Sequence, residues 1–221
     1  MQAFNKYFDH TLLKPDAAPQ QILKLVSQAV SYDFASVCVN GCHVSSVRRF
    51  INGAGSSVKV AAVAGFPLGA MDTRAKAFEA GLAIDAGADE IDMVMNIGQA
   101  KAGNWAYVED EVLTLSRICH EKGALLKVII ETCLLTEEEI VRACRACVEG
   151  EADFVKTSTG FSKAGADADT VRLMKETVGS SALVKASGGI RTLEDARTMI
   201  EAGADRLGCS ASVEIMEEYR K

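Results

Sequence analysis

The chain has 221 residues, 48% of them hydrophobic, and 30 Asp+Glu against 24 Lys+Arg give it a formal net charge of −6. That is ample apolar material for one large α/β domain, and the acidic balance, with a pI near 5.2, argues against a general nucleic-acid or anionic-membrane surface. No run approaches the roughly 18 apolar residues needed to span a bilayer. The opening MQAFNKYFDH lacks the basic and apolar regions of a secretory signal, and seven cysteines are scattered along the chain, so the expected setting is a reducing cytoplasm.

In chain order, KYFDHTLL (6–13) is a short, half-apolar first strand, followed by Pro15 and a helix from Pro19 to Tyr32. The next strands are ASVCVN (35–40) and VKVAAVAG (58–65), then a helix from Asp72 to Ala86 and the strand EIDMVMN (90–96). A helix from Trp105 to Glu121 leads to LLKVIIE (125–131), one from Thr136 to Val148 to DFVKTS (153–158), and LVKAS (183–187) follows. A helix from Thr192 to Ala202 precedes the last strand, DRLGCS (205–210). The helical stretches carry apolar residues at i, i+3 and i+4, several behind Asp or Thr caps.

Strands separated by helices imply right-handed βαβ units and a parallel sheet. Eight of them predict a single (β/α)8 TIM barrel spanning residues 1–221 as one domain. A doubly wound sheet would need G-x-G-x-x-G after an early strand, and none is present. AGAD recurs at 86–89 and 202–205, where Gly closes a helix and the acid opens the approach to the next strand. The EEYRK tail is consistent with either an ordered end or a cover over the site.

In this fold the chemistry sits at the C-terminal ends of the strands. The polar residues there are Asp9, Asn40, Asp92, Asn96, Glu131, Lys156, Thr157, Thr159, Lys185 and Ser187. FVKTSTGF and LVKASGGI each end a buried strand with a lysine before a glycine-containing turn. Lys156 and Lys185 would sit on neighbouring strands. If both point inward, each disfavours the other's charge, and one becomes a neutral amine able to attack a carbonyl. Alternation alone does not say which. Lys59 and Lys127 are expected to point outward between helices, and Asp89 and Glu90 to be loop or solvent residues.

Asp92, in the middle of a core strand, is costly unless paired, and Lys185 could hold it ionised for proton transfer. A purely structural ion pair is the alternative. SGGIRTLEDAR (187–197) and GCSASVEI (208–215) place glycines after the last two strands, where this fold commonly binds phosphate. The Cys144–Cys147 CxxC lies in a helical stretch and reads as packing, and CVNGCH (38–43) lacks haem-attachment spacing. Neither a metal nor a cofactor is expected.

The set DHTLLKP, SVCVN, GFPLGA, EIDMVMNIG, KVIIET, FVKTSTGF, VKASGGIR and RLGCS resembles the deoxyribose-phosphate aldolase family, in order from Tyr7 to about Ile215. The resemblance implies a metal-free class I aldolase. It would reversibly cleave 2-deoxy-D-ribose 5-phosphate to D-glyceraldehyde 3-phosphate and acetaldehyde. It makes Lys156 the Schiff-base lysine, Lys185 the lysine that perturbs it, and Asp92 the proton-relay carboxylate. Asp9, Thr11 and Thr159 fall near the sugar, and Gly188, Gly189, Arg191, Gly208 and Ser210 in the phosphate turns. Gly41 stands where the family commonly has proline, Ala211 where many members have a second serine, and Cys209 where alanine or threonine is frequent.

The implied partner is a small phosphosugar, with no nucleic acid or membrane, and a homo-oligomer is possible. The rival readings are a phosphosugar isomerase or epimerase using Asp92 as base, and a non-catalytic barrel that binds a sugar phosphate.

Overall fold

The computed structural model describes residues 2–221, so the first residue of the expected span lies outside the described residues. Eight parallel strands close in sequence order, β1 pairing with both β2 and β8. They are β1 (Phe8–Leu12), β2 (Ser36–Val39), β3 (Lys59–Ala64), β4 (Glu90–Val94), β5 (Leu125–Ile129), β6 (Phe154–Lys156), β7 (Leu183–Ser187) and β8 (Arg206–Cys209). The helices are α1 (Pro19–Tyr32), α2 (Val44–Gly53), α3 (Thr73–Asp85), α4 (Ile97–Lys101), α5 (Trp105–Glu121), α6 (Glu137–Glu149), α7 (Ala168–Val178), α8 (Leu193–Glu201) and α9 (Ser212–Tyr219).

The main apolar core lies between barrel and helices, where Val37, Val39, Ile91, Met93, Leu126, Val128 and Val184 face outward. Because side chains alternate along a strand, residues between these point into the barrel. Local signals set the helix starts. Asp72 and Asp167 accept N–H groups of α3 and α7, and Thr136 and Thr192 form capping boxes with Glu139 and Asp195.

The strands are shorter than the apolar runs, because their last residues turn into the loops that build the site. Several of these still extend the ladder, as when Ile130 N–H donates to Lys156 O (3.0 Å) and Thr157 N–H to Lys185 O (3.0 Å).

The AGAD repeats form a shared device at the lower rim. Gly87 and Gly203 have φ of 111° and 106°, and a Cβ on either would lie 2.8 Å from Cγ of Arg48 or Lys175. Asp89 accepts the Val60 N–H (2.7 Å) and pairs with Arg48. Asp205 accepts the Val184 N–H (2.9 Å) and pairs with Lys175 at 2.8 Å. Asp153 repeats the arrangement with Leu126 N–H (2.8 Å) and His120 (2.9 Å). Asp89 is thus a loop residue, as expected, that serves as a structural tie, while Lys59 stays at the surface, 3.9 Å from it.

The C-terminal segment is ordered against the rim opposite the site. Tyr219 stacks on Phe4 (4.4 Å between ring centres) and the Arg220 guanidinium lies 4.8 Å over Tyr32. Cys144 and Cys147 are buried in the α6 packing, and burial pushes the Cys144 thiol up to about 12. Among the described residues, no helix is long and apolar enough to cross a membrane.

Candidate active site

The inside of the barrel is a closed set of charges. Asp9, Glu90 and Asp92 contribute three carboxylates, and Lys127, Lys156, Lys185 and Arg206 contribute four cationic groups. Asp92 lies at the centre, with ammonium groups of Lys127 at 2.9 Å, Lys156 at 2.7 Å and Lys185 at 2.7 Å. Beneath it, Lys127 pairs with Glu90 (2.5 Å) and Lys185 with Asp9 (2.5 Å). Arg206 reaches Asp9 (2.6 Å) and Glu90 (3.5 Å), and Ser36 Oγ donates to Asp9 (2.6 Å).

Two expectations are corrected here. Lys127 is fully buried inside the barrel and not between the helices, and Glu90 is buried beside it. Leu126 and Val128 take the outward positions of β5, so Lys127 must point in. The Phe154 ring gives both Lys127 and Arg206 a cation–π face, at 5.8 and 5.6 Å.

Charge counting separates the two lysines that alternation left equivalent. Three carboxylates balance Lys127, Lys185 and Arg206, leaving Lys156 as the fourth cation in a low-dielectric interior. Burial lowers the Lys156 pKa, the Lys185 charge lowers it further, and Asp92 only partly opposes them. Burial acts on Lys185 too, but Asp9 and then Asp92 outweigh it and hold its pKa above the ordinary lysine value. Asp92 stays well below the usual carboxylate range, since Lys127, Lys156 and Lys185 outweigh its burial. Lys156 is therefore the amine most readily found neutral.

Above Lys156 opens a cleft of about 360 Å³, lined by Thr11 to Lys14, Lys156, Thr159 to Phe161, Ser187 to Arg191, and Gly208 to Ser210. Of the expected site residues, it gathers Lys156, Thr11, Thr159, Gly188, Gly189, Arg191, Gly208 and Ser210. Asp9, Asp92 and Lys185 lie beneath this lining, fully buried. Thr159 is fixed from below, its N–H and Oγ1 donating to Glu131 at 3.2 and 2.5 Å. Asn40 and Asn96 serve the backbone: Asn40 donates to Leu13 O (3.3 Å), and Asn96 Oδ1 caps α4 by accepting the Gln99 N–H (3.1 Å).

Gly208 is required by contact. A Cβ there would stand 2.9 Å from Lys185 Cε and 3.1 Å from Ser187 Cβ. Lys185 is held by two carboxylates and cannot swing away, so Gly208→Ala is expected to cut turnover about tenfold to a hundredfold through displacement of that ammonium. Steady-state kinetics check this, and unchanged kcat would remove the positional argument.

On the glycine-turn side of the cleft, Gly188 and Gly189 both have φ of 85°. The Gly188 Cα also passes close to the chain, 2.9 Å from where a Cβ on Gly165 would stand. The start of α8 is already occupied, because Asp195 accepts from Arg191 and Thr192 N–H (2.9 and 3.0 Å) and Glu218 from Leu193 N–H (3.0 Å). The start of α9 has no side-chain cap, with Ala211 at the capping position. Its N–H groups and the Gly188–Gly189 turn are the better anion donors, with Lys14 and Arg191 on the same cleft.

Sequence reading missed Lys127, Glu90, Arg206 and Lys14. It also missed a buried pair behind β4, where Lys76 Nζ donates to Val94 O and Glu111 (both 2.8 Å) and Glu111 accepts the Asn96 N–H (2.8 Å). The signal for Lys14 was its place in DHTLLKP; that for Lys127 was the lysine in an otherwise apolar strand.

A parallel barrel with a buried lysine of lowered pKa beneath glycine turns is the arrangement of an enzyme that uses an amine on a carbonyl compound. Residues 4–215 match the family model described as DeoC/LacD family aldolase. Deoxyribose-phosphate aldolase of Streptococcus mutans is 55% identical over 213 residues, covering 96% of this chain and 95% of that protein. That of Thermococcus gammatolerans is 52% identical, covering 97% and 96%. The tetrameric deoxyribose phosphate aldolase structure from Aeropyrum pernix superposes with a TM-score of 0.92 at 32% identity, covering 99% of this chain and 91% of that one. The chain belongs to the DeoC/LacD aldolase family, and with it to the carbon–carbon lyases.

Proposed function

We propose that the protein is a class I aldolase that reversibly cleaves 2-deoxy-D-ribose 5-phosphate to D-glyceraldehyde 3-phosphate and acetaldehyde, with Lys156 as the Schiff-base nucleophile. The observation that carries this is the unbalanced fourth cation, Lys156, placed under the cleft with its pKa lowered by burial. Its neutral Nζ adds to the C1 aldehyde of the open-chain sugar, and loss of water gives a protonated imine. The C3 hydroxyl then loses its proton and the C2–C3 bond breaks, its electron pair passing into the imine to leave an enamine and glyceraldehyde 3-phosphate. Protonation of the enamine carbon and hydrolysis release acetaldehyde and restore the amine.

Asp92 and Lys185 hold and move the protons, since both touch the same carboxylate–ammonium cluster as Lys156. Gly188, Gly189, Gly208, Ser210 and Arg191 seat the phosphate, and Thr11 and Thr159 flank the sugar. Asp9 acts from below by fixing the charge of Lys185. The protein also self-associates, as the Aeropyrum pernix relative does.

Borohydride reduction in the presence of 2-deoxyribose 5-phosphate or acetaldehyde, followed by peptide mass mapping, tests the reading. The expected adduct is on Lys156. An adduct on Lys185 would reverse the assignment, and a folded protein giving none would favour the isomerase or the inert binding barrel.

A further inference from the structure

The floor of the barrel is apolar where its middle is ionic. Because side chains alternate along a strand, Leu125, Phe154 and Leu183 stand two residues below Lys127, Lys156 and Lys185 on the inward faces of β5, β6 and β7. Phe154 is the register partner of Lys127 on one side and of Leu183 on the other. The two leucines are exposed, at 37% and 43%, whereas Phe154 is 3% exposed. At this end of the barrel lies a cavity of about 520 Å³, lined by all three together with Val148, Glu151 and Asp153. That is room for several waters, each filling about 30 Å³.

Phe154 belongs to neither apolar core, neither the main one between barrel and helices nor the small one of Leu13, Cys38, Ala61 and Val63. Its ring covers charges instead, with Lys127 Nζ and the Arg206 guanidinium 5.8 and 5.6 Å from its centre. Lys156 follows on the same inward face, roughly 7 Å further along the strand. Loss of the ring would therefore join the lower cavity to the space under Lys156, and an ionic cluster keeps its altered proton affinities only where water is excluded.

We infer that Phe154 is a positioning residue that seals the barrel floor, holding the solvent of the lower cavity away from the ionic cluster under the reactive amine. This rests on Lys156 as the nucleophile, and it explains how that group is kept dry from the side opposite the substrate. Burial is the largest influence on the Lys156 pKa, followed by Asp92 on β4, Lys185 on β7 and Cys38 on β2. Asp9, Glu90, Lys127 and Arg206 complete the charges of the cluster, and Glu151 and Asp153 stand on the cavity wall. Water entering from below relieves the burial and moves the Lys156 pKa up towards its ordinary value.

The pH profile of kcat/KM for 2-deoxyribose 5-phosphate cleavage tests this in wild type, Phe154→Ala and Phe154→Leu. Leucine refills most of the ring's volume with apolar atoms but offers no cation–π face. Phe154→Ala is expected to move the acid limb up by about one pH unit, so that kcat/KM below the limb falls about tenfold. Phe154→Leu should return the limb to near its wild-type position. If the alanine variant does not fold, Phe154→Val makes the same comparison with a smaller opening. A limb unmoved by truncation, whatever the loss of stability, would overturn the seal. So would a leucine variant displaced as far as the truncated one, which would place the effect in the ring's contact with the cations.

Denaturant midpoints against pH, taken without substrate, separate this inference from the assignment of catalysis. Wild-type stability should rise with pH between the lowered Lys156 pKa and 10.5, and more weakly in Phe154→Ala. That difference in slope from a wild type that cleaves no sugar would sink the aldolase reading and leave the seal standing. Equal slopes in an active pair would sink the seal alone.

Discussion

Lys156→Leu is expected to lower turnover by at least about 10⁴-fold, the scale seen when a covalent nucleophile is removed, while the folded state becomes no less stable. Three carboxylates remain for Lys127, Lys185 and Arg206, so deletion of the fourth cation leaves no buried carboxylate unpartnered. Removing one partner of a buried ion pair is costly because it strands the other charge, but Asp92 keeps Lys127 and Lys185, so that cost does not arise here.

The pH dependence follows from the lowered Lys156 pKa. Between that value and the ordinary 10.5, the unfolded chain holds a proton that the folded chain has released. Wild-type stability therefore rises with pH through this window, and the burial penalty is complete below it. The Leu variant should gain most over wild type on the acid side and lose that advantage above the ordinary lysine value. Denaturant midpoints as a function of pH measure this, and marked destabilisation of Lys156→Leu at neutral pH would contradict the charge count.

Asp92→Asn has the opposite profile. It leaves Lys127, Lys156 and Lys185 converging on an uncharged amide, and breaking one side of a buried ionic cluster costs about 3–5 kcal/mol. Turnover should fall about 10²–10⁴-fold through lost proton transfer. Asp92 also raises the Lys156 pKa, so the acid limb of kcat/KM should move to lower pH in the variant. Because the folded Asp92 titrates well below 3.8, its stabilisation is complete above that pH and is lost as pH falls beneath it. The stability gap between wild type and Asp92→Asn should accordingly close in strong acid. An unchanged denaturant midpoint at pH 7 would show that the three ammonium groups do not depend on this carboxylate.

The architecture was legible because its signals are local. The helices Pro19–Tyr32 and Trp105–Glu121 begin and end where sequence periodicity places them. Asp72, Thr136 and Thr192 cap helices as their positions suggest. Lys156 and Lys185 stand side by side as register partners. What was hidden is the direction of side chains in strands apolar on both faces. LLKVI reads alike in either phase, and only the packed helices show that Leu126 and Val128 take the outside and Lys127 the inside.

The distinction between Lys156 and Lys185 was equally out of reach. It depends on Asp9, which is far from either lysine in sequence and meets Lys185 only because the barrel closes between β8 and β1. The N-terminus of α8 looked like an anion site in sequence, but Asp195 and Glu218 occupy it, and the latter arrives from α9.

The carboxylates and ammonium groups under Lys156 are satisfied by one another and belong to the barrel's own walls. On the proposed reading, the nucleophile is primed before any substrate arrives, and its readiness carries no information about which aldehyde is present. On that reading, discrimination among carbonyl compounds is left to the rim, where Phe161, Ser210 and Arg191 line the cleft. For an engineer seeking new acceptors, this is a division of labour: Phe161 is the rim side chain to vary first, changes at Ser210 or Arg191 carry a cost in phosphate binding, and the ionic plug beneath them is inherited unchanged.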